Sequence, residues 1–144
     1  MYETVLVPVD GSDESLVAAE GAVELTAESG TLHALSVVEN LPMYRRSGKP
    51  EKFESDTADE MGRAEEAAAE AAEIADGAGV DCVTAVADGV PAREIVGHAE
   101  EVGADAIVLG KRGLSESAGD MLGSTTERVI RKAPTTVVSV PAEE

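Results

Sequence analysis

Three glycines and a pair of hydroxyl residues are spaced in a way that suits the binding of an anion. They occur as Gly110-Lys-Arg-Gly113, nine further residues, and then Gly123-Ser-Thr125. Glycine lets a loop fold back on itself and brings bare backbone N–H groups close to a ligand. A helix that opens with Ser-Thr adds hydroxyl groups and the positive end of its dipole, the usual physical basis of a phosphate site. The spacing therefore predicts a loop that holds the phosphates of a nucleotide.

The local charge agrees with an anion at this loop. Positions 110–132 hold five basic residues against three acidic ones, although the whole chain has a net charge of −18. The basic residues are Lys111, Arg112, Arg128, Arg131 and Lys132. Two other interpretations stay open, because the glycines can simply shape a tight loop and basic residues also suit the last turn of a helix.

A second candidate residue follows the first apolar run, which covers residues 4–9. Asp10 comes directly after this run and is followed by Gly11 and Ser12. It either contacts a ligand or helps to begin the next helix, for which Ser12 or Asp13 is a suitable cap. Asp10 is therefore a candidate ligand residue with a structural alternative.

Five apolar runs alternate with helical patterns and must position these residues. The predicted strands cover residues 4–9, 32–38, 80–86, 106–109 and 135–140. The predicted helices begin after Ser12, near Ser55, at Pro91 and at Ser124, and the first of them stops at Gly30. Residues 40–56 are predicted to form a loop, and 88–91 a turn.

This alternation predicts a mainly parallel, five-stranded sheet with helices on both faces, a three-layer α/β/α fold of the Rossmann-like type. At 144 residues we expect one domain, 1–144. Ligands bind such sheets beyond the carboxyl ends of the strands, where the strand order reverses. If strands one and four are neighbours at that reversal, Asp10 and Gly110 meet at one crevice.

Composition excludes several classes of partner. With 29 acidic and 11 basic residues, the chain is not expected to bind nucleic acid or anionic lipid. Its acidic surface resembles that of salt-adapted proteins, whose self-repulsion is screened within ~3 Å at ~1 M salt. No apolar run is long enough for a membrane span and no signal segment precedes Tyr2, so we expect a cytoplasmic protein.

Cysteine and histidine residues are common metal ligands and nucleophiles, but the three in this chain do not indicate such a site. Cys82 is the only cysteine, which rules out an internal disulfide and favours a small buried hydrophobe over a reactive thiol. His33 and His98 are far apart in sequence and fall on different predicted elements. A metal site built on that pair is therefore not expected, and we predict no metal-ligating residues.

The glycine motif and the first strand together resemble the nucleotide-binding members of the universal stress protein family. That family's motif is Gly, two residues, Gly, nine residues, Gly, and then Ser or Thr, and it occurs here without a gap from Gly110 to Ser124. The resemblance covers the whole chain, since residues 5–10 match the family's first strand and 134–140 its last. It implies the fold of the adenine nucleotide alpha hydrolase group.

The resemblance also implies ATP as the ligand and a role for each matching position. Asp10 would reach the ribose hydroxyls or the edge of adenine. The adenine slot would be lined by Pro8, Val9 and Val38, with main-chain hydrogen bonds from Val38. The phosphates would be held, mostly by backbone N–H groups, at Gly110, Arg112, Gly113, Gly123, Ser124 and Thr125, with a hydroxyl added by Thr126. Any Mg²⁺ would arrive with the phosphates and keep most of its waters.

The function that these features imply is regulation by a bound nucleotide, with at most slow hydrolysis. Fast hydrolysis needs a positioned base and an organised metal site, and the sequence suggests no convincing general base. One alternative is a stress protein that does not bind nucleotide and acts through protein partners. Another is an adenylating enzyme of the adenine nucleotide alpha hydrolase group.

A homodimer is expected through the last strand. This strand, 135–140, begins at Thr135, ends at Val140 and is rich in β-branched residues. A sheet edge without a neighbour invites pairing with another chain, and resembling family members commonly dimerise there.

Overall fold

Five strands and four helices alternate along the part of the chain that the structure describes. The computed structural model describes residues 1–39, 50–110 and 122–141, with the backbone alone for 50–58; Arg112 and Gly113 of the predicted phosphate loop lie outside these residues. The strands are β1 (Tyr2–Pro8), β2 (Thr26–Glu39), β3 (Asp81–Gly89), β4 (Ala106–Gly110) and β5 (Thr136–Val140). The helices are α1 (Asp13–Leu25), α2 (Pro50–Gly77), α3 (Pro91–Val102) and α4 (Ser124–Lys132).

The strands form one parallel sheet in the order β3-β2-β1-β4-β5. The order reverses between β1 and β4, where Val5 lies opposite Ala106 and Leu6 opposite Ile107. The predicted α/β fold with a parallel sheet is therefore confirmed. Strands one and four are neighbours at the reversal, so the residues that follow β1 and β4 emerge at the same edge.

Alternating side chains divide the core into two layers. Val5, Val7 and Val9 pack on the face covered by α1 and α2, whereas Leu6 packs on the opposite face, under α3 and α4. All four are fully buried. Successive strand residues point to opposite faces, so a strand covered on both sides is apolar throughout. Such strands therefore occur in the sequence as continuous apolar runs.

Alanine takes the place of aromatic residues in the helices of the first layer. In α2 the buried positions include Ala67, Ala71 and Ala75, one turn apart on one face. Small side chains let a helix lie close to its neighbours, and the Cβ of Ala67 would lie 3.7 Å from a Cβ built on Gly11. This close packing places α2 beside the loop that follows β1.

The first helix is shorter than predicted, and the second strand longer. The expectation of a helix up to Gly30 is wrong, since α1 ends at Leu25 and β2 begins at Thr26. The Thr26 hydroxyl donates to the Ala22 carbonyl at 2.7 Å, which closes the last turn. Gly30 is buried beside β1, where an added Cβ would lie 2.5 Å from the Glu3 carbonyl oxygen. It marks a close approach of two strands rather than the end of a helix.

Two loop predictions are also corrected. Helix α2 begins at Pro50, not near residue 55, because proline suits the first position of a helix. Strand β3 continues through Asp88 to Gly89, so the predicted turn at 88–91 is reduced to Val90. Gly89 has φ +152°, in the region that favours glycine. Helices α3 and α4 begin at Pro91 and Ser124 as predicted.

Among the described residues, the helices include none that is both long and apolar enough to cross a membrane.

Candidate functional site

A cleft of about 260 Å³ opens at the carboxyl edge of the sheet, beside the ends of β1 and β2. Two residues predicted from the sequence, Asp10 and Val38, border this one space. The complete lining is Asp10, Ser36, Val37, Val38, Glu39, Glu60, Arg63 and Ala64. The strand order thus brings together an acidic loop residue and an apolar strand residue that are 28 positions apart.

Asp10 is held in place by the turn that it helps to form. It is exposed, and its Oδ1 accepts a hydrogen bond from the Ser12 backbone N–H at 2.9 Å, the arrangement of an Asx turn. The cap of α1 is Ser12, whose Oγ accepts from the Ser15 N–H at 3.2 Å. Asp10 therefore orders the loop without capping the helix. No partner is found for its Oδ2 within the described residues, so this oxygen is available to a ligand.

The end of β2 extends beyond its neighbour. Strand β1 pairs with β2 only as far as Leu35, whose carbonyl accepts from the Val9 N–H at 2.8 Å. Residues 36–39 continue along β3 on the other side and border the cleft on the side toward Asp10. The Val38 side chain is 7% exposed. This edge of β2 can therefore offer backbone groups and one apolar side chain to a planar ligand.

Pro8 and Val9 are not part of the cleft lining. Val9 is completely buried and packs in the layer under α1 and α2. Pro8 is buried opposite Leu35. Of the three apolar residues that the resemblance assigned to a base, the structure places only Val38 in the cleft wall.

Helix α4 presents its first turn without a capping side chain. Its cap residue is Gly123 (φ −68°, ψ 155°), whose carbonyl accepts from the Glu127 N–H at 3.0 Å. The first backbone N–H groups of a helix have no partner within it, and they carry the positive end of the dipole. Ser124 is exposed and Thr125 is half-buried in this turn. The turn can therefore donate several hydrogen bonds to an anion.

Thr126 joins this turn to the end of β4. Its side chain is fully buried, and its hydroxyl donates to the Gly110 carbonyl at 3.1 Å. Gly110 in turn lies against the first turn of α1, where an added Cβ would be 3.5 Å from the Glu14 carbonyl oxygen. The resemblance implies that the Thr126 hydroxyl binds phosphate. In the structure this hydroxyl donates to the Gly110 carbonyl and so joins the two ends of the glycine-rich segment.

Residues of α2 complete the cleft, and the sequence did not reveal them. Glu60 and Arg63 line it, and neither is among the site residues predicted from the sequence. One signal was available, because Arg63 is the only basic residue in positions 55–77. With Asp10 and Glu39, the cleft combines three carboxylates and one guanidinium. Carboxylates accept hydrogen bonds from hydroxyl or amino groups, so this end of the site suits a polar, uncharged part of a ligand.

The two histidines, although far apart in sequence, contact each other on the face of the sheet under α3 and α4. The rings of His33 on β2 and His98 on α3 are 6.3 Å apart in an edge-to-face arrangement. Burial, and then the neighbouring His98, lower the pKa of His33. His98 Nδ1 is 3.9 Å from Glu101 Oε1. Within the described ranges no group of three or more His, Cys, Asp or Glu side chains is placed to hold a metal.

Cys82 lies half-buried on β3 and packs against the layer under α1 and α2. Burial raises the pKa of its thiol, which disfavours the reactive thiolate. This agrees with its interpretation as a small hydrophobe.

Comparison with known proteins gives a consistent result over the whole chain. The sequence model of the universal stress protein family matches residues 1–141. The universal stress protein MJ0531 of Methanocaldococcus jannaschii is 36% identical over 149 aligned positions, which cover 100% of this chain and 86% of the relative.

Solved structures agree with this match. The hypothetical protein MJ0577 has a TM-score of 0.79 at 27% identity, covering 100% of this chain and 99% of its own. A universal stress protein solved in complex with cAMP has a TM-score of 0.69 at 32% identity, covering 99% of this chain and 98% of its own. Similarity in sequence and in fold thus extends from end to end.

Proposed function

The chain belongs to the universal stress protein family, and on that premise we propose that it is a regulatory protein that binds an adenine nucleotide, ATP. Two observations at the carboxyl edge of the sheet, whose order reverses between β1 and β4, support the proposal. Asp10 and Val38 line one cleft, and the first turn of α4 is joined to the end of β4 by the Thr126–Gly110 hydrogen bond. Open α/β sheets bind ligands at this place. The related protein solved with cAMP supports an adenine nucleotide as the class of ligand.

The cleft is assigned to the base and the ribose. Its volume of about 260 Å³ is below the ~300–1,000 Å³ of pockets that enclose a drug-sized ligand, so a whole nucleotide must extend beyond it. Val38 would pack on adenine, with the backbone of residues 36–39 along its edge. Asp10 Oδ2 would accept a hydrogen bond from a ribose hydroxyl. Pro8 and Val9 would support this wall from the buried side.

The phosphates are assigned to the glycine-rich segment and to α4. The uncapped N–H groups of the first turn and the hydroxyls of Ser124 and Thr125 would donate to phosphate oxygens. Gly110 would bring β4 close to the ligand, while Gly113 and Arg112 belong to the proposal on sequence alone. Mg²⁺ would be bound through the phosphates and would keep most of its waters.

The proposed role of ATP is to shift an equilibrium between conformations or partners rather than to be turned over rapidly. A ligand changes such an equilibrium only through its different affinity for the two states. The site joins β1, β2, β4, α1, α2 and α4, so a bound nucleotide would contact much of the fold at once. Hydrolysis would at most be slow.

The test is calorimetric titration of ATP into the full chain at ~1 M KCl, where self-repulsion is screened. In Asp10→Asn the amide oxygen can still accept from Ser12, so the turn is kept while the charge is removed. Since a hydrogen bond to a charged group contributes ~1.5–3 kcal/mol, we expect affinity to fall about tenfold or more. In Gly123→Val a branched side chain enters the anion site, and we expect binding to be lost.

Matched controls separate the site from general effects. Asp76→Asn and Gly77→Val make the same chemical changes at exposed positions near the end of α2, and both should bind ATP like the wild type. Circular dichroism confirms that each variant is folded. A well-folded wild-type chain that does not bind ATP would contradict the proposal and favour a stress protein that acts without nucleotide.

A homodimer through β5 is part of the same proposal. Strand β5 forms one end of the sheet order, and Val137, Val138 and Val140 are only partly buried. Pairing with a second β5 would cover the open edge. Light scattering at ~1 M KCl should give twice the mass of the 14.8 kDa chain. A monomeric mass would contradict it.

A further inference from the structure

We propose that the groove between α3 and α4 binds a small organic anion at a site separate from the nucleotide cleft. The groove has a volume of about 530 Å³, within the ~300–1,000 Å³ usual for small-molecule sites. Its lining is Val90, Ala92, Arg93, Val96, Gly97, Glu100, Arg128, Arg131 and Lys132. None of these residues lines the cleft beside Asp10.

The groove concentrates positive charge in a strongly acidic protein. Four of the 11 basic residues of the chain line it, against one carboxylate, that of Glu100. Arg131 is paired with Glu127 at 2.8 Å. The other three cations have no ion pair with any residue that the structure describes. The lining therefore carries four positive charges against one negative charge, and this excess favours an anionic ligand.

Interaction with helix dipoles does not account for the arrangement. Arg131 and Lys132 lie in the last turn of α4, where a cation is favourable. Arg93, however, is the third residue of α3, close to the positive end of that dipole, where a cation is unfavourable. Its position is explained if it binds an anion together with Arg128 across the groove.

The floor of the groove is apolar and open. Val90 is 42% exposed, and Val96 and Ala92 continue the apolar surface along α3. Gly97 also borders the groove, and a Cβ built on it would meet no atom within 4 Å. A cationic rim above an apolar floor fits an anion with an apolar body better than it fits an inorganic ion.

Size and charge favour a small molecule over an acidic protein segment. From Arg93 to Glu100 the rim spans seven residues of helix, or about 10 Å. A stable protein interface covers ~800 Å² on each partner, so an acidic partner would reach past the rim onto a chain of net charge −18 and be repelled. A compact anion with two or three charges fits within the rim.

The experiment uses benzene-1,3,5-tricarboxylate, which carries three carboxylates on an apolar ring, titrated calorimetrically into the full chain saturated with ATP. The wild type should bind it. Arg93→Gln and Arg128→Gln should each weaken binding about tenfold, the effect of losing one charge-assisted hydrogen bond. Arg63→Gln, the matched control in the nucleotide cleft, should leave it unchanged.

A second variant tests the floor without endangering the fold. Gly97→Leu replaces a glycine inside α3 by a strong helix former, and its side chain would fill the groove. We expect a more stable protein that binds the tricarboxylate at least tenfold more weakly.

Four outcomes would overturn the proposal. The first is no binding by the folded wild type, and the second is equal binding by Gly97→Leu or by Arg128→Gln. The third is displacement of the tricarboxylate by ATP, or its loss in Arg63→Gln, which would place it in the nucleotide cleft. The last is equal affinity for sulfate, an adventitious ion only. Because the groove is tested by its own variants, failure of ATP binding in the wild type leaves this result interpretable.

Discussion

At the scale of single residues, one buried hydroxyl organises the proposed phosphate site. The Thr126 side chain is fully buried and joins α4 to the Gly110 carbonyl of β4. Without that bond, the buried Gly110 carbonyl would lose a hydrogen-bond donor. The role of Thr126 is therefore to set the position of the first turn of α4.

We expect Thr126→Val to destabilise the protein by about 1–3 kcal/mol, because it keeps the shape of the side chain but removes a donor from a buried acceptor. Urea unfolding measures the loss. Thr84→Val, the same change at an exposed position on β3, should stay within about 0.5 kcal/mol of the wild type. Equal effects of the two changes would show that the hydrogen bond contributes nothing.

The histidine pair makes stability depend on pH. The pKa of His33 is lowered in the folded protein, first by burial and then by His98, and Glu101 is the carboxylate beside His98. As pH falls below ~6.5, the unfolded chain protonates His33 more readily than the folded one. The stability present above that pH is then lost as pH falls through the lowered pKa.

We expect His33→Gln to flatten the fall in the free energy of unfolding between about pH 7.5 and about pH 5. Urea unfolding at several pH values gives the comparison. His98→Gln should flatten it less, because it removes the smaller cause of the lowered His33 pKa, the electrostatic effect of His98, and leaves the burial of His33. A variant curve parallel to that of the wild type would exclude a role for this residue.

At the scale of elements, the pairing of β1 with the first part of β2 depends on a close approach of the two strand backbones. Strand β1 pairs with β2 from Tyr2, opposite Thr26, and from Thr4, opposite Thr31, with a shift of register between them. Gly30 lies within this irregular stretch, against the Glu3 carbonyl. Any side chain at this position pushes the strands apart.

We expect Gly30→Ala to cost about 1–3 kcal/mol, as overpacking does in a tight core. In contrast, Gly62→Ala makes the same change within α2, where an added Cβ meets no atom within 4 Å, and it should stabilise by about 0.5–1 kcal/mol. The unfolding temperatures of both variants, compared with that of the wild type, test these two expectations. A Gly30→Ala variant as stable as the wild type would show that the strands separate easily.

At the scale of the whole molecule, self-repulsion of charge opposes folding. The net charge is −18, and exposed carboxylates stand along α2 at Glu65, Glu66, Glu70 and Glu73. A high net charge destabilises a compact state, since unfolding moves the charges apart. Salt at ~1 M screens them within ~3 Å.

We therefore expect the unfolding temperature to rise from low salt to ~1 M KCl. Replacing the four glutamates of α2 by Gln should raise the temperature at low salt and reduce the gain from KCl. An unchanged unfolding temperature in the wild type would refute the salt-adapted interpretation of this composition.

Local patterns in the sequence were sufficient to predict the alternation of elements, the parallel sheet, the helix that begins at Ser124 and the candidate role of Asp10. Each depends on periodicity, capping or turn chemistry within a few residues. The tertiary structure alone decided that β2 begins at Thr26, that Arg63 reaches the cleft and that His33 meets His98. It also decided that Arg93 and Arg128 face one groove. These are contacts between residues far apart in the chain, and strand order and close packing determine them, neither of which is encoded in any short segment.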